Sequence, residues 1–371
     1  MNIKPKLLTV IGTRPEAIKM CPLITAINKS PFFEGKLCVS GQHKEMLDTA
    51  LSDFSVTPDF DLEIMKRCST PSEMTSVILE RLTPIMEYQA PDGVLVHGDT
   101  TTALSAALAS FYLGIPVFHV EAGLRSFDVS SPFPEEFNRV TIDSLSSLLF
   151  APTRQAEKNL LSEGKSKERI FVTGNTVIDA LLMSLKKDFP HPLLRSLLPR
   201  KECRFAILTL HRRESIGEPM KNILRGVRRV IEENADISLL FPMHKNPAVR
   251  SVILSELEGC DRIFLTDPID TVTFHNMLAR CDIVLTDSGG IQEEAAFLGK
   301  PTLVAREVTE RADSMGNPLC IGRSEEAVYR HFSTLLTNSR ILERMSRPSD
   351  AYGKGDASEK ILSILYRHFF G

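Results

Sequence analysis

The chain has 371 residues, 43% of them hydrophobic and 25% charged, the balance of an ordinary globular protein with length enough for two domains that each bury a core. Forty-four Lys and Arg against 47 Asp and Glu leave a net charge of −3, so no broad basic field exists to hold nucleic acid, and any bound polyanion must be small and held locally. No apolar run reaches the roughly 18 residues of a membrane span, and seven scattered cysteines without C-x-x-C spacing read as reduced thiols of a cytoplasmic protein, not as a disulfide frame or a zinc site.

In chain order, Met1 to Lys6 leads straight into a strand over 7–12, with no h-region or small-residue cleavage site before it. Gly12-Thr-Arg-Pro-Glu-Ala-Ile-Lys19 follows. Pro15 suits a first helical turn, which sets Arg14 and Lys19 near a helix N-terminus, a place that favours anions, although both also serve as plain surface charges. This loop is not G-x-G-x-x-G, and no G-x-x-x-x-G-K-[ST] occurs, so neither a dinucleotide fingerprint nor a Walker loop is present. A second strand is expected over 36–40, with His43 just beyond it in Gly41-Gln-His-Lys-Glu45. Asp59-Phe-Asp61 matches D-x-D but lacks a strand–loop context and reads as a solvated turn. Met74, Val77, Ile78, Leu82, Ile85 and Met86 recur at helical spacing, which predicts a helix over 73–88 that Pro84 kinks or interrupts.

The strand over 93–98 ends in His97-Gly-Asp-Thr-Thr-Thr102, with Asp99 at its tip, free either for chemistry or for capping the next helix. The strand over 117–122 ends in Glu121-Ala-Gly-Leu-Arg125. A carboxylate there is costly unless paired or functional; its structural alternative is an ion pair with Arg125. Pro132-Phe-Pro-Glu-Glu-Phe-Asn-Arg139 then sets Glu135 and Glu136 at a helix start, where acids also serve as mere dipole partners. Carboxylates from neighbouring loops can together perform acid/base chemistry. Further strands are expected over 148–151 and 170–174, and Pro190, Pro192 and Pro199 mark a boundary within 175–204.

The second half repeats the alternation, with strands over 205–210, 238–243, 263–266, 283–286 and 302–305 and helices such as 220–234 and 291–298. This predicts two parallel, doubly wound α/β domains, whose ligands bind at the carboxyl ends of the strands. His211-Arg-Arg-Glu214 at a strand end suits a phosphate clamp or a solvated basic turn. Asp287-Ser-Gly-Gly-Ile-Gln-Glu-Glu-Ala295 is the strongest single signal. Gly289 and Gly290 permit close backbone approach, Ser288 and the helix N-terminus offer donors to a diphosphate, and Glu294 can accept ribose hydroxyls. His244 follows a strand in Met243-His-Lys-Asn-Pro247, whereas His191, His275, His331 and His368 read as surface or packing residues. No H-E-x-x-H spacing exists, so no metal and no cofactor is expected.

Together the loops at 12–20, 98–102, 119–126, 134–139, 174–179, 211–214 and 287–295 closely resemble the non-hydrolysing UDP-N-acetylglucosamine 2-epimerases of bacteria, in order and across nearly the whole chain. The resemblance implies two Rossmann-like halves of the glycosyltransferase-B type with a deep cleft between them, residues 1–174 carrying the sugar and acid/base loops and 175–354 the UDP site, and a C-terminal helix in 355–371 that packs back on the first half. It implies reversible inversion at carbon 2 by elimination of UDP to 2-acetamidoglucal and re-addition, supplying surface polysaccharide synthesis. Its motif matches set Asp99, Glu121 and Glu135 as acid/base groups, His211 at the phosphates, and Arg14, Lys19, Ser288, Gly289, Gly290, Glu294 and Arg311 around UDP, with Phe274 beside the uracil. They also imply a homodimer and a second UDP-N-acetylglucosamine as activator, matched by Gln42, His43, Glu136, Arg212 and His244.

Three departures from the family pattern stand out: Ile269 in place of a Gln near the base, Ala312-Asp313 in place of Pro-Glu, and Ser69 in place of a Gln. The alternatives are a hydrolysing epimerase that releases N-acetylmannosamine and UDP, a glycosyltransferase of the same fold, and a non-catalytic sugar-nucleotide sensor. The acidic loops of the first half favour epimerisation.

Overall fold

The computed structural model describes residues 4–41, 44–64, 70–210, 216–307 and 317–371, with Lys44 described by its backbone alone. The chain divides into one unit of Met1–Met183 with Tyr352–Gly371 and a second of Ser184–Ala351.

The first unit is built on a sheet of β1 (Lys6–Ile11), β2 (Glu34–Val39), β3 (Phe60–Asp61), β4 (Gly93–His97), β5 (Val117–Val120), β6 (Leu148–Ala151) and β7 (Ile170–Val172). All pairs are parallel, in the order β3-β2-β1-β4-β5-β6-β7. Its helices are α1 (Arg14–Lys29), α2 (Lys44–Asp53), α3 (Pro71–Gln89), α4 (Thr101–Tyr112), α5 (Glu135–Leu145), α6 (Arg154–Ser162) and α7 (Thr176–Ser184), whose last residue falls past the division, together with the C-terminal helix (Ala357–Phe370). A parallel sheet is covered on both faces, so its central strands have no polar side. β4 and β6 are accordingly buried at every position. The pleat sends alternate residues of β1 to opposite cores: Leu7 and Ile11 meet Phe118, Phe150 and Ile361, Ile364 and Leu365 of the C-terminal helix, while Leu8 and Val10 meet Ile78, Leu82 and Met86. Asp179 of α7 accepts the backbone N–H groups of Ala357 (3.2 Å) and Ser358 (2.7 Å), which seats the start of that C-terminal helix.

Two local expectations are corrected. α3 runs unbroken through Pro84 to Gln89. Pro84 and Glu80, whose carbonyl loses its partner, are both exposed, so water can satisfy the freed group. Asp59-Phe-Asp61 is not a solvated turn: Phe60 and Asp61 form the edge strand β3, and Asp59 accepts Leu37 N–H (2.8 Å) and Lys36 Nζ (3.1 Å).

The second unit holds β8 (Arg204–Thr209), β9 (Ile237–Pro242), β10 (Ile263–Thr266), β11 (Ile283–Thr286), β12 (Thr302–Val304) and β13 (Leu319–Cys320), all parallel, in the order β10-β9-β8-β11-β12-β13. Its helices are α8 (Pro192–Leu197), α9 (Glu218–Glu233), α10 (Pro247–Leu257), α11 (Thr271–Arg280), α12 (Gly289–Phe297), α13 (Glu325–Thr337) and α14 (Ser339–Met345), and the C-terminal helix of the chain is thus α15. In each sheet the strand order reverses once, between β1 and β4 and between β8 and β11. Ligands of open parallel sheets bind beyond the carboxyl ends of the strands at such a point. The loops there begin at Gly12 and Gly98 in the first unit and include Asp287–Gly290 in the second.

Candidate active site

At the first reversal, Thr13 caps α1 and Glu16 is its third residue, the spacing of a capping box. Glu16 does more than cap. Its Oε2 accepts Gly12 N–H (3.0 Å), Thr13 N–H (2.8 Å) and Thr13 Oγ1 (2.8 Å), and its Oε1 accepts Thr100 Oγ1 (2.8 Å) from the loop after β4. Gly12 has no room for a side chain: a Cβ would lie 2.2 Å from Thr102 Oγ1 and 2.4 Å from Ser40 Oγ, which are themselves bonded at 3.0 Å. Burial drives the Glu16 carboxyl up to about 7, against the four hydrogen bonds that favour its charge.

Glu121 follows β5 with φ of +67°, a left-handed conformation that non-glycine residues adopt at a cost of about 1–3 kcal/mol. The strain turns its carboxylate inward, where Oε2 bonds Lys19 Nζ of α1 and Asn175 Nδ2 (2.7 Å) after β7. Its structural alternative, a pair with Arg125, is therefore corrected: Arg125 bonds Asp143 (2.7 Å) and Glu163 (2.5 and 2.7 Å). His97 Nε2 lies 3.7 Å from Glu121 Oε2, buried and without a hydrogen-bond partner among the described residues. Burial pushes His97 down to about 3, the Glu121 charge opposing and Lys19 and His119 reinforcing that, so the ring is neutral.

Asp99 does not cap α4; Thr100 does, accepting Ala103 N–H at 3.0 Å. The Asp99 carboxylate instead bonds Arg139 of α5, whose other nitrogen lies 3.3 Å from Glu136 Oε2. Glu136 is buried and also accepts Ser126 and Phe127 N–H, both at 3.0 Å. Glu135, at the start of α5, has a buried Oε2 with no hydrogen-bond partner among the described residues. Behind these loops His119 bonds Asp143 (2.6 Å) through Nδ1 and the Gly98 carbonyl (2.8 Å) through Nε2, holding the peptide that precedes Asp99. Burial would raise Asp143, but His119 and Arg125 outweigh it and hold the carboxyl below its ordinary range.

In the second unit Ser288 is the N-cap of α12, and its side chain makes no capping bond. A Cβ on Gly290 would meet open space, so the N-terminus of α12 is open to a close-approaching group. Glu294, one turn on, is buried with Oε1 3.3 Å from His275 Nε2, while its Oε2 has no partner among the described residues. His275, read from the sequence as a surface or packing residue, is buried in α11 beside Glu294. Phe274 packs half-buried with Ile269 against the core of this unit. His244 is exposed, its Nδ1 accepting Asn246 N–H at 3.1 Å. His211, Arg212, Arg311, Gln42 and His43 lie outside the described residues, as do Ser69, Ala312 and Asp313. The structure therefore groups Lys19 with Glu121, and Asp99 with Arg139 and Glu136. Glu16, His97, Arg139 and Asn175 are the polar residues of these loops that the sequence reading did not single out. Each ends a strand or stands in or one turn beyond the loop that follows one, the one signal that could have found them. Among the described residues no group of three His, Cys, Asp or Glu side chains could hold a metal ion, and no helix is long and apolar enough to cross a membrane.

Comparison with known proteins decides the family. The sequence pattern of the UDP-N-acetylglucosamine 2-epimerases matches residues 25–366. The chain belongs to that family. Its members are isomerases, and a Bacillus subtilis UDP-N-acetylglucosamine 2-epimerase is 45% identical over 368 residues, covering 99% of this chain and 96% of that protein. The Neisseria meningitidis UDP-GlcNAc 2-epimerase solved with UDP-GlcNAc superposes with a TM-score of 0.92 at 41% identity, covering 98% of this chain and all (100%) of that one. A Staphylococcus aureus protein solved with UDP gives a TM-score of 0.93 at 44% identity over 98% of this chain and 97% of its own. The two doubly wound α/β halves are thus those of the glycosyltransferase-B-type epimerases.

Proposed function

We propose that this protein interconverts UDP-N-acetylglucosamine and UDP-N-acetylmannosamine by inversion at carbon 2, eliminating UDP to 2-acetamidoglucal and adding it back without net hydrolysis. The carbon-2 proton is not activated by a carbonyl, so direct deprotonation is very slow and a leaving diphosphate must share the work. The observation that carries this reading is a set of three carboxylates in three different settings, Asp99 and Glu121 after strands and Glu135 at a helix start. Asp99 is bound to Arg139, Glu121 is bound to Lys19 and Asn175, and Glu135 keeps one buried oxygen unpartnered among the described residues. Separate groups to remove and return a proton are what inversion requires. Arg14 and His211 are assigned to the diphosphate, with Lys19 as a cation close to the sugar, and Arg311, Ser288, Gly289, Gly290 and Glu294 to UDP, Phe274 lying beside the uracil. The N-terminus of α12 suits an anion, and the open space at Gly290 lets one approach.

The same reading makes the protein a cytoplasmic homodimer, feeding surface polysaccharide assembly and using a second UDP-N-acetylglucosamine as activator. The six described cysteines, all free thiols, support the cytoplasmic setting. Incubation with UDP-N-acetylglucosamine, with sugars followed by proton NMR, tests the activity. UDP-N-acetylmannosamine should appear and both UDP-sugars should persist. Accumulation of free N-acetylmannosamine would identify a hydrolysing enzyme, and turnover only with an added acceptor a glycosyltransferase.

A further inference from the structure

Two helices of this fold begin with the same device. α1 has Thr13 and Glu16, and α3 has Thr70 and Glu73, each a Thr N-cap with Glu at the third helical position. In α3 the device is exposed and local: Thr70 N–H donates to Glu73 and Glu73 N–H to Thr70 Oγ1, both at 3.2 Å. In α1 the carboxyl is 2% exposed and reaches Thr100, 84 residues away. A helix cap needs no partner on another strand's loop, so capping does not account for the second half of this arrangement.

We propose that Glu16 is a positioning residue for the reaction, its carboxylate latching the loop that carries Arg14 to the loop that carries Asp99. This rests on the epimerase reading above, in which Arg14 holds the departing diphosphate and Asp99 moves a proton. Gly12 and Thr13 precede Arg14 directly, and Thr100 follows Asp99 directly, so one carboxylate fixes the backbone beside both groups. Thr100 Oγ1 also accepts Ala103 N–H and is held from both sides. The Ser40–Thr102 bond, packed against Gly12, closes the same seam from β2 and α4.

Every group bonded to Glu16 is an uncharged donor. The charges nearest along its elements are Arg14, Lys19, which is bonded to Glu121, and Asp99, which is bonded to Arg139. Four donors surround two oxygens, so a proton added to the carboxyl takes up one acceptor site and one threonine hydroxyl must stop donating to it. All four donors are accepted only in the charged form, and burial places the protonation of that carboxylate at about pH 7.

The test compares Glu16→Gln, Thr100→Val and Glu73→Gln with the wild type, in kcat across pH 5.5 to 8.5 and in thermal unfolding. Glu16→Gln removes the charge and one acceptor oxygen with little change of shape, so the side chain can no longer accept all four donors. Its kcat should fall at least about 10-fold at pH 8, since small misplacements of reacting groups are costly. The decline of wild-type kcat below about pH 7 should vanish in the variant. Thr100→Val removes the far half of the latch and should lower kcat similarly; it decides the matter if Glu16→Gln does not fold. Glu73→Gln, in the same kind of cap away from these loops, should match the wild type. A folded Glu16→Gln with kcat within twofold of wild type, or with its acid limb intact, would overturn the latch, as would an equal loss in Glu73→Gln. A wild type without turnover would end the function reading and this role together, a result distinct from an active wild type matched by an active variant.

Discussion

Asp143 offers the sharpest test of how the loops after β4 and β5 are held. It is fully buried and accepts His119 Nδ1 (2.6 Å), Arg125 (2.7 Å) and Gly123 N–H (3.2 Å). Asp143→Asn keeps the shape but puts an amide where one acceptor stood, leaving His119 or Arg125 facing a donor. Breaking a buried charge pair in this way costs about 3–5 kcal/mol. Glu163 still holds Arg125 at 2.5 and 2.7 Å, which favours the lower end of that range. For a unit of this size the loss corresponds to a fall of roughly 6–20 °C in Tm. The chain has no Trp, so urea and thermal unfolding are best followed by far-UV circular dichroism. The folded carboxyl lies below its ordinary range, so its stabilisation is present above the unfolded pKa and lost as pH falls through the folded value. The gap between wild type and variant should therefore hold steady from pH 8 to 5 and close only at stronger acidity, below about pH 4. A cost under about 1 kcal/mol, or a gap that closes between pH 8 and 5, would refute the account of this network.

Asp99→Asn, Glu121→Gln and Glu135→Gln should each cut kcat roughly 100-fold or more with little change in UDP affinity, whereas Glu294→Gln should weaken UDP binding; steady-state kinetics and calorimetry on variants with wild-type unfolding separate the two. Gly290→Ala should leave stability unchanged or raise it by up to about 1 kcal/mol, since Ala is the better helix former and its methyl meets open space, yet weaken UDP roughly 10-fold; unaltered affinity would remove Gly290 from the site. Glu16 rises from 4.5 to about 7 on folding, so its contribution is fully present below the unfolded pKa and lost as pH rises through the folded one. From pH 8 to 4.5 the wild type should gain about 3 kcal/mol on Glu16→Gln in urea titrations; a pH-independent difference would contradict its burial as a titrating group.

The α/β alternation was legible because parallel strands buried on both faces read as apolar runs, and β6 and β11 coincide with those runs end to end. The two shortest edge strands were not. β3 and β13 are two residues each, too short for any periodicity, and Asp59 and Asp61 made the first look like a turn. Pro84 misled because its consequence depends on which helix face meets water, and the sequence around it does not settle that. Asp99 and Glu121 stood out as acids directly after strands, but their partners did not. Arg125 lies four residues from Glu121 yet bonds Asp143 and Glu163, 18 and 38 positions away, because the turn after β5 brings it to α5 and the end of α6. Glu16 was not singled out, and His275 read as a surface or packing residue, since each takes its meaning from a residue brought in by another element.

Elimination and re-addition is the central claim, and the fate of the carbon-2 hydrogen tests it most directly. Incubated with UDP-N-acetylglucosamine in deuterated water and followed by NMR, the protein should place deuterium at carbon 2 of both epimers, with the sugars remaining linked to UDP. Retention of protium at carbon 2 in epimerised product, or the absence of any exchange without an acceptor, would contradict it.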